Sequence, residues 1–219
     1  MTRVRLSALL SLLAFPALAQ RLPRTVIPEH YTVQFAPDLA SGTFEGEETI
    51  QVTVREPVST IELNALELQL SDVTVTAGES TQSASVTLDA GSQTARFTLP
   101  SQLAVGPAEL HLHFAGILNE QLHGFYQAHT TRRKYAVTEF EPVDARCAFP
   151  CFDEPDLKAT FTISVIADVG DTAVSNGSIL SDRPGRWRVS TRSSSRPPRR
   201  CPATLPLLRS ATFSACRTA

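Results

Sequence analysis

Among 219 residues, the side chains able to do chemistry gather between positions 124 and 158. That stretch holds Glu139 and Glu141 two residues apart, Asp144 and Arg146, the thiols Cys147 and Cys151, and the acid pair Asp153-Glu154 ahead of Pro155. By type and spacing alone, Glu141 reads as a solvated loop acid. An acid pair before a proline suits a turn or a helix start. Arg146, between Asp144 and Asp153 in sequence, suits a bridge between loop carboxylates, and Phe149, Phe152 and Phe161 read as core. Cys147 and Cys151 flank Ala-Phe-Pro150, so they pair only through a tight loop, and four cysteines in a chain of this length are not a disulfide scaffold. The five histidines stand at 30, 111, 113, 123 and 129, and no two of them flank a Glu at the i, i+4 spacing that puts two imidazoles on one helix face. His111 and His113 share a strand face without a third ligand, and neither a CxxC nor a Cys/His zinc spacing is present. The expected metal set and cofactor of this chain are therefore none.

Alternation dominates the stretch that has to position these groups. Tyr31/Val33/Phe35, Ile50/Val52/Val54, Ile61/Leu63, Val73/Val75, Val86/Leu88, Phe97/Leu99 and Leu110/Leu112/Phe114 are period-two runs rich in β-branched and aromatic residues, the mark of half-buried strands. Turn chemistry separates them at Ala40-Ser41-Gly42, Ala77-Gly78-Glu79, Asp89-Ala90-Gly91-Ser92 and Val105-Gly106-Pro107. Short strands at this spacing, with no helical period, predict an all-β fold, an antiparallel sandwich or open saddle. From Gly124 to Lys158 the pattern becomes irregular before Thr160 to Val165 resumes the alternation, and a loop-rich insert between strands is where sites tend to sit.

Read in full, the insert runs Gly-Phe-Tyr-Gln127, then Tyr135-Ala-Val-Thr-Glu-Phe-Glu-Pro-Val-Asp-Ala-Arg-Cys-Ala-Phe-Pro-Cys-Phe-Asp-Glu-Pro155, then Lys158-Ala-Thr-Phe161. This resembles the N-terminal domain of the zinc aminopeptidases of the aminopeptidase N family. Tyr31 to Phe35, Pro37-Asp38-Leu39, Thr43-Phe44-Glu45-Gly46, Leu63-Asn64-Ala65 and Val174-Ser175-Asn176-Gly177 fall where that family has similar groups, so the resemblance spans roughly residues 26–182. It implies a saddle-like β domain packed on a thermolysin-like catalytic domain, with peptide N-termini as substrates. The family motif Thr-Gln-Phe-Glu-Pro maps onto Thr138-Glu139-Phe140-Glu141-Pro142. Glu141 thereby takes the role of the glutamate that contacts the substrate's α-amino group, through a charge-assisted hydrogen bond. Glu139 departs from the family's Gln; a second carboxylate there either raises the pKa of one partner or strengthens cation capture. Asp144, Arg146, Phe149, Pro150, Asp153, Glu154 and Pro155 make up the structural part of the motif. The family's H-E-x-x-H helix, its third zinc ligand and its Gly-Ala-Met-Glu-Asn-like loop have no counterpart in this sequence. Zinc thus belongs to the full-length family member, and this chain alone is expected to be inactive. A non-catalytic exported β module and a non-functional truncated gene product are the competing readings.

The two ends differ from this body. Arg3 and Arg5 precede an apolar run from Leu6 to Leu18 that closes in Ala17-Leu18-Ala19 before Gln20. That is the pattern of a secretory signal peptide over residues 1–19, cleaved between Ala19 and Gln20, and it predicts export to the periplasm or the medium. No later stretch has the ~20 apolar residues of a helical membrane span. Residues 20–182 carry nine basic side chains against all 22 acidic ones, and an acidic body of this kind repels phosphate backbones, which excludes nucleic acid as its partner. The β domain is expected over 20–185. Residues 186–219 form a tail biased to Arg, Ser, Pro and Ala without an acid, which reads as disordered or as a slipped reading frame. Permitted codons from Ser193 onward, read from the third base, encode Thr-Pro-Lys-Met-Pro-Ser-Tyr-Leu and Val-Gly-Asp-Phe, strings similar to the family's sequence at this distance.

Overall fold

Long alternating strands open the fold and set its geometry. The structure is a computed structural model that describes residues 21–168, 171–175, 177–183, 186–190 and 215–216. The expected signal segment, residues 1–19, with Gln20 after it, and residues 191–214 lie outside them. In chain order the strands are β1 (Val26–Asp38), β2 (Thr43–Val54), β3 (Val58–Asn64), β4 (Gln69–Ala77), β5 (Ser80–Ser83), β6 (Ser85–Asp89), β7 (Thr94–Leu103), β8 (Gly106–Ile117), β9 (Gly124–His129), β10 (Lys134–Glu139), β11 (Thr160–Val165), β12 (Ser178–Arg183), β13 (Arg186–Ser190) and β14 (Ala215–Cys216). A single 3-10 turn, Ala145–Cys147, is the helical element among the described residues. The fold is all-β, as the alternation predicts.

An eight-stranded sheet runs β12-β13-β11-β1-β2-β8-β4-β5, beside two three-stranded sheets, β14-β10-β9 and β3-β7-β6. Pairing is antiparallel except that β11 lies parallel to β1, with Tyr31 opposite Phe161 and Val33 opposite Ile163. A parallel partner needs a long crossover, and the chain from β2 to the end of the insert supplies it. Register carries the apolar rows straight across the sheet. Phe161, Tyr31, Ile50, Leu110 and Val75 occupy successive strands of one row, each 1% exposed or less. At Gly46 any side chain would stand 2.3 Å from the Phe114 ring and 2.6 Å from the Gln34 carbonyl, so glycine lets these strands close.

Two expectations are corrected by the sheets. Gly124 to Lys158 is not irregular throughout, because β9 and β10 pair as a hairpin from Gly124/Glu139 to His129/Lys134. The β structure also continues past Gly185. Arg186–Ser190 is inserted between β11 and β12 with backbone pairing to both, so the break in composition precedes the end of the sheet.

The next row is interrupted by a charge. Glu48 lies between Val33 and Leu112 on the inward face, is 1% exposed, and neither carboxyl oxygen has a hydrogen-bond partner among the described residues. Burial pushes its carboxyl well above the usual glutamate range. A raised folded-state pKa means that the folded chain keeps a proton the unfolded chain has released. This contribution to stability is full below about pH 4.3 and is lost as pH rises toward the folded pKa. Glu48→Leu is therefore expected to stabilise the fold by about 1–3 kcal/mol at pH 7, with the gain shrinking toward pH 4. Urea unfolding across that range checks it, and an equal effect at both ends would contradict it.

Candidate functional site

Glu141 sits where the hairpin leaves its sheet. β10 ends at Glu139, and Phe140, 3% exposed, anchors the chain in the core. The Glu141–Pro142 peptide is cis, and the Asp144 N–H donates to the Phe140 carbonyl at 3.1 Å, closing a turn that leaves Glu141 half-buried with Pro142 and Val143 exposed. The two glutamates of the motif are coupled through the backbone, since the Glu141 N–H donates to Glu139 Oε1 at 3.1 Å. Glu139 thus steadies the Glu141 backbone. Its charge, after burial, also raises the Tyr126 phenol.

Behind the turn, the rest of the motif fastens the loop to three strands. Arg146 Nε meets Asp153 Oδ2 at 2.9 Å, with side-chain exposures of 12% and 0%. Its Nη1 donates to Gln93 Oε1 at 3.0 Å, so the expected carboxylate bridge holds for Asp153, while Asp144 turns elsewhere. Burial raises the Asp153 pKa and Arg146 opposes the rise. Backbone hydrogen bonds join Cys151 to Asn64 in both directions, at 2.8 and 3.0 Å, and the Asn64 carboxamide oxygen accepts from the Asp153 N–H at 3.2 Å. The Phe152 N–H donates to the Tyr31 hydroxyl at 3.0 Å. Glu154 caps the start of the described chain by accepting from the Leu22 N–H at 2.9 Å, and its carbonyl accepts from Leu157 across the Pro155 turn. Phe149 is buried against Tyr31, Phe35, Phe140 and Phe161, and Pro150 is buried beside it.

The thiols of Cys147 and Cys151 are free and buried. His111 and His113 do share a face, their rings 5.4 Å apart, and His111 Nδ1 is 3.0 Å from the Thr49 hydroxyl. Among the described residues they gain no third ligand. A different trio comes together instead. His123, Asp144 and Cys147 place one ligand atom each within 4.8 Å of the others. Nothing in their spacing of 21 and three residues signals this, because the fold, not a motif, brings the start of β9 against the 3-10 turn.

The sequence profile of the Peptidase M1 N-terminal domain matches residues 27–192, most of the chain. The chain belongs to the M1 peptidase family. This M1 domain is 40% identical over 162 residues to Aminopeptidase 2 of Candida albicans, covering 72% of this chain and 17% of the relative. It is 39% identical over 173 residues to Endoplasmic reticulum aminopeptidase 1 of Homo sapiens, covering 74% and 18%. Against Aminopeptidase 2, mitochondrial, of Saccharomyces cerevisiae it is 36% identical over 171 residues, covering 74% and 18%. The chain thus spans under a fifth of the length of these relatives. Among the described residues no helix is long and apolar enough to cross a membrane.

Proposed function

We propose that this M1 domain is the substrate-amine recognition part of an exported zinc aminopeptidase that removes N-terminal residues from peptides. The observation that carries the reading is the held backbone of Glu141: a half-buried glutamate in the turn after β10, its N–H bonded to Glu139 and its turn anchored by Phe140. A glutamate whose backbone is fixed before substrate arrives loses less freedom on binding an α-ammonium, and its carboxylate discriminates free from blocked N-termini because a blocked amine carries no charge. The family's zinc supplies hydrolysis from the catalytic domain. No residue set here fits that centre, the H-E-x-x-H pair being absent from this sequence, and no hydrolytic step is assigned to these residues. The exposed apolar side chains Ile179 and Leu180 on the β12 edge strand of the large sheet support a surface that a second domain covers. The Arg-flanked apolar segment ending at Ala19 supports export. Reading the gene across codons 180–220 and onward tests the assignment. A one-base correction that opens a frame encoding H-E-x-x-H is the expected result, and a confirmed frame with no H-E-x-x-H downstream would overturn it.

A further inference from the structure

We propose that His123 Nδ1, the Asp144 carboxylate and Cys147 Sγ form a three-ligand site for a borderline divalent cation, zinc by preference, at the base of the loop that carries Glu141. The three atoms lie within 4.8 Å of one another, and the His123 Nδ1 to Asp144 Oδ1 separation is 3.7 Å. Ligands held about 2.0–2.3 Å from a tetrahedral zinc stand on the order of 3.3–3.8 Å apart, so modest contraction closes the set.

Three features of the surroundings point the ligand atoms inward. First, His123 Nδ1 is itself buried without a hydrogen-bond partner among the described residues, while Nε2 faces the Gln121 carboxamide oxygen at 3.4 Å. A proton on Nε2 for Gln121 leaves the Nδ1 lone pair free, which is the outer-ligand arrangement typical of a metal-bound imidazole. Gln121 is fixed in turn by its N–H to Asn119 Oδ1 at 2.7 Å, and Asn119 Nδ2 donates to the His123 carbonyl at 2.9 Å. Second, Asp144 stands at the N-cap of the 3-10 turn and yet makes no side-chain capping hydrogen bond, which leaves its carboxylate facing His123. Third, Gly124 has φ +64° and its missing Cβ would lie 2.7 Å from Cys147 Cβ, so glycine here lets the histidine strand come against the thiol.

The donor set of one imidazole, one carboxylate and one thiolate suits zinc rather than calcium or magnesium. Burial, followed by the charges of Asp144 and Glu67, pushes the Cys147 thiol up to about 11 in the metal-free site. Binding forms a metal–sulfur bond and releases the thiol proton to solvent, with no change of oxidation state. His123 and Asp144 are 34% and 26% exposed, so a fourth position is open to water. Because the Asp144 N–H is bonded to the Phe140 carbonyl, an occupied site would tie the Glu141 turn to the start of β9.

The test titrates the 219-residue chain, untagged and reduced with a non-thiol reductant, with cobalt(II) and then zinc(II). Expected are one equivalent bound, a thiolate-to-cobalt charge-transfer band, and displacement by zinc. Cys147→Ser should abolish the band. His123→Ala and Asp144→Asn, both at partly exposed positions, should each weaken binding at least about a hundredfold, Gln121→Ala about tenfold, and Cys151→Ser should leave binding intact. Far-ultraviolet circular dichroism identifies any variant that has unfolded. Folded wild-type chain that binds no cobalt, or that binds it equally well after His123→Ala and Asp144→Asn, would overturn the site.

Discussion

Arg146→Ala is expected to cost the domain about 3–5 kcal/mol, because it strands the Asp153 carboxyl in the core rather than removing a surface ion pair. The carboxyl is fully enclosed, and Oδ1 has no partner among the described residues, so the guanidinium on Oδ2 is its main compensation. The loss should depend on pH in a defined direction. Burial already raises the Asp153 pKa while Arg146 opposes the rise; without Arg146 the folded-state pKa climbs further. A raised carboxyl favours the fold at low pH and loses that contribution as pH rises. The gap between wild type and variant should therefore be small near pH 4 and widen toward pH 8. Adding Asp153→Asn should recover most of it, whereas Arg146→Lys should not, since one ammonium does not reproduce the fork that reaches both Asp153 and Gln93. Urea unfolding of the four proteins at both pH values measures this, and a loss under about 1 kcal/mol at pH 8 would make the pair a mere surface contact.

Phe149→Ala should cost a similar amount, about 3–5 kcal/mol, through the lost burial and the cavity left among aromatic rings. Phe149 is 3% exposed, with ring centroids 6.2 Å from Tyr31, 6.0 Å from Phe35 and Phe140, and 6.5 Å from Phe161. It joins residues of β1 and β11 to the loop after β10, so its removal unfastens the insert from the large sheet. A fall in Tm on the order of 10 °C is expected for a chain of this size, with Phe149→Leu losing much less. Equal Tm values for Ala and wild type would show that the ring is not enclosed as described.

What the sequence made legible follows from which interactions are local. Alternation at Tyr31/Val33/Phe35 and Leu110/Leu112/Phe114 marks β1 and β8 because one face of each is apolar and buried. The β9–β10 hairpin is hidden because Gln127 and Thr138 point inward at 6% and 3% exposure, which breaks the apolar period that would reveal it. β5 is hidden for the opposite reason: Ser-Thr-Gln-Ser at a sheet edge buries almost nothing. Parity places Glu48 on the same face as Ile50 and Val52, but a carboxylate there does not read as core. The parallel seat of β11 beside β1 and the meeting of His123 with Asp144 and Cys147 are tertiary facts, without a signature in spacing. Glu141 was legible only through the motif around it, since an isolated loop glutamate looks like any other.

That glutamate carries the account, and its kinetics test it most directly. With residues 21–190 joined to the catalytic domain of an M1 relative, kcat/KM for aminoacyl amides should be measured before and after Glu141→Ala. Loss of a charged hydrogen bond to the α-amine predicts a penalty of about 1–3 kcal/mol, which is roughly 5- to 150-fold in kcat/KM, while the variant keeps the wild-type Tm. An unchanged kcat/KM in an active chimera would remove Glu141 from the substrate site and contradict the proposed function.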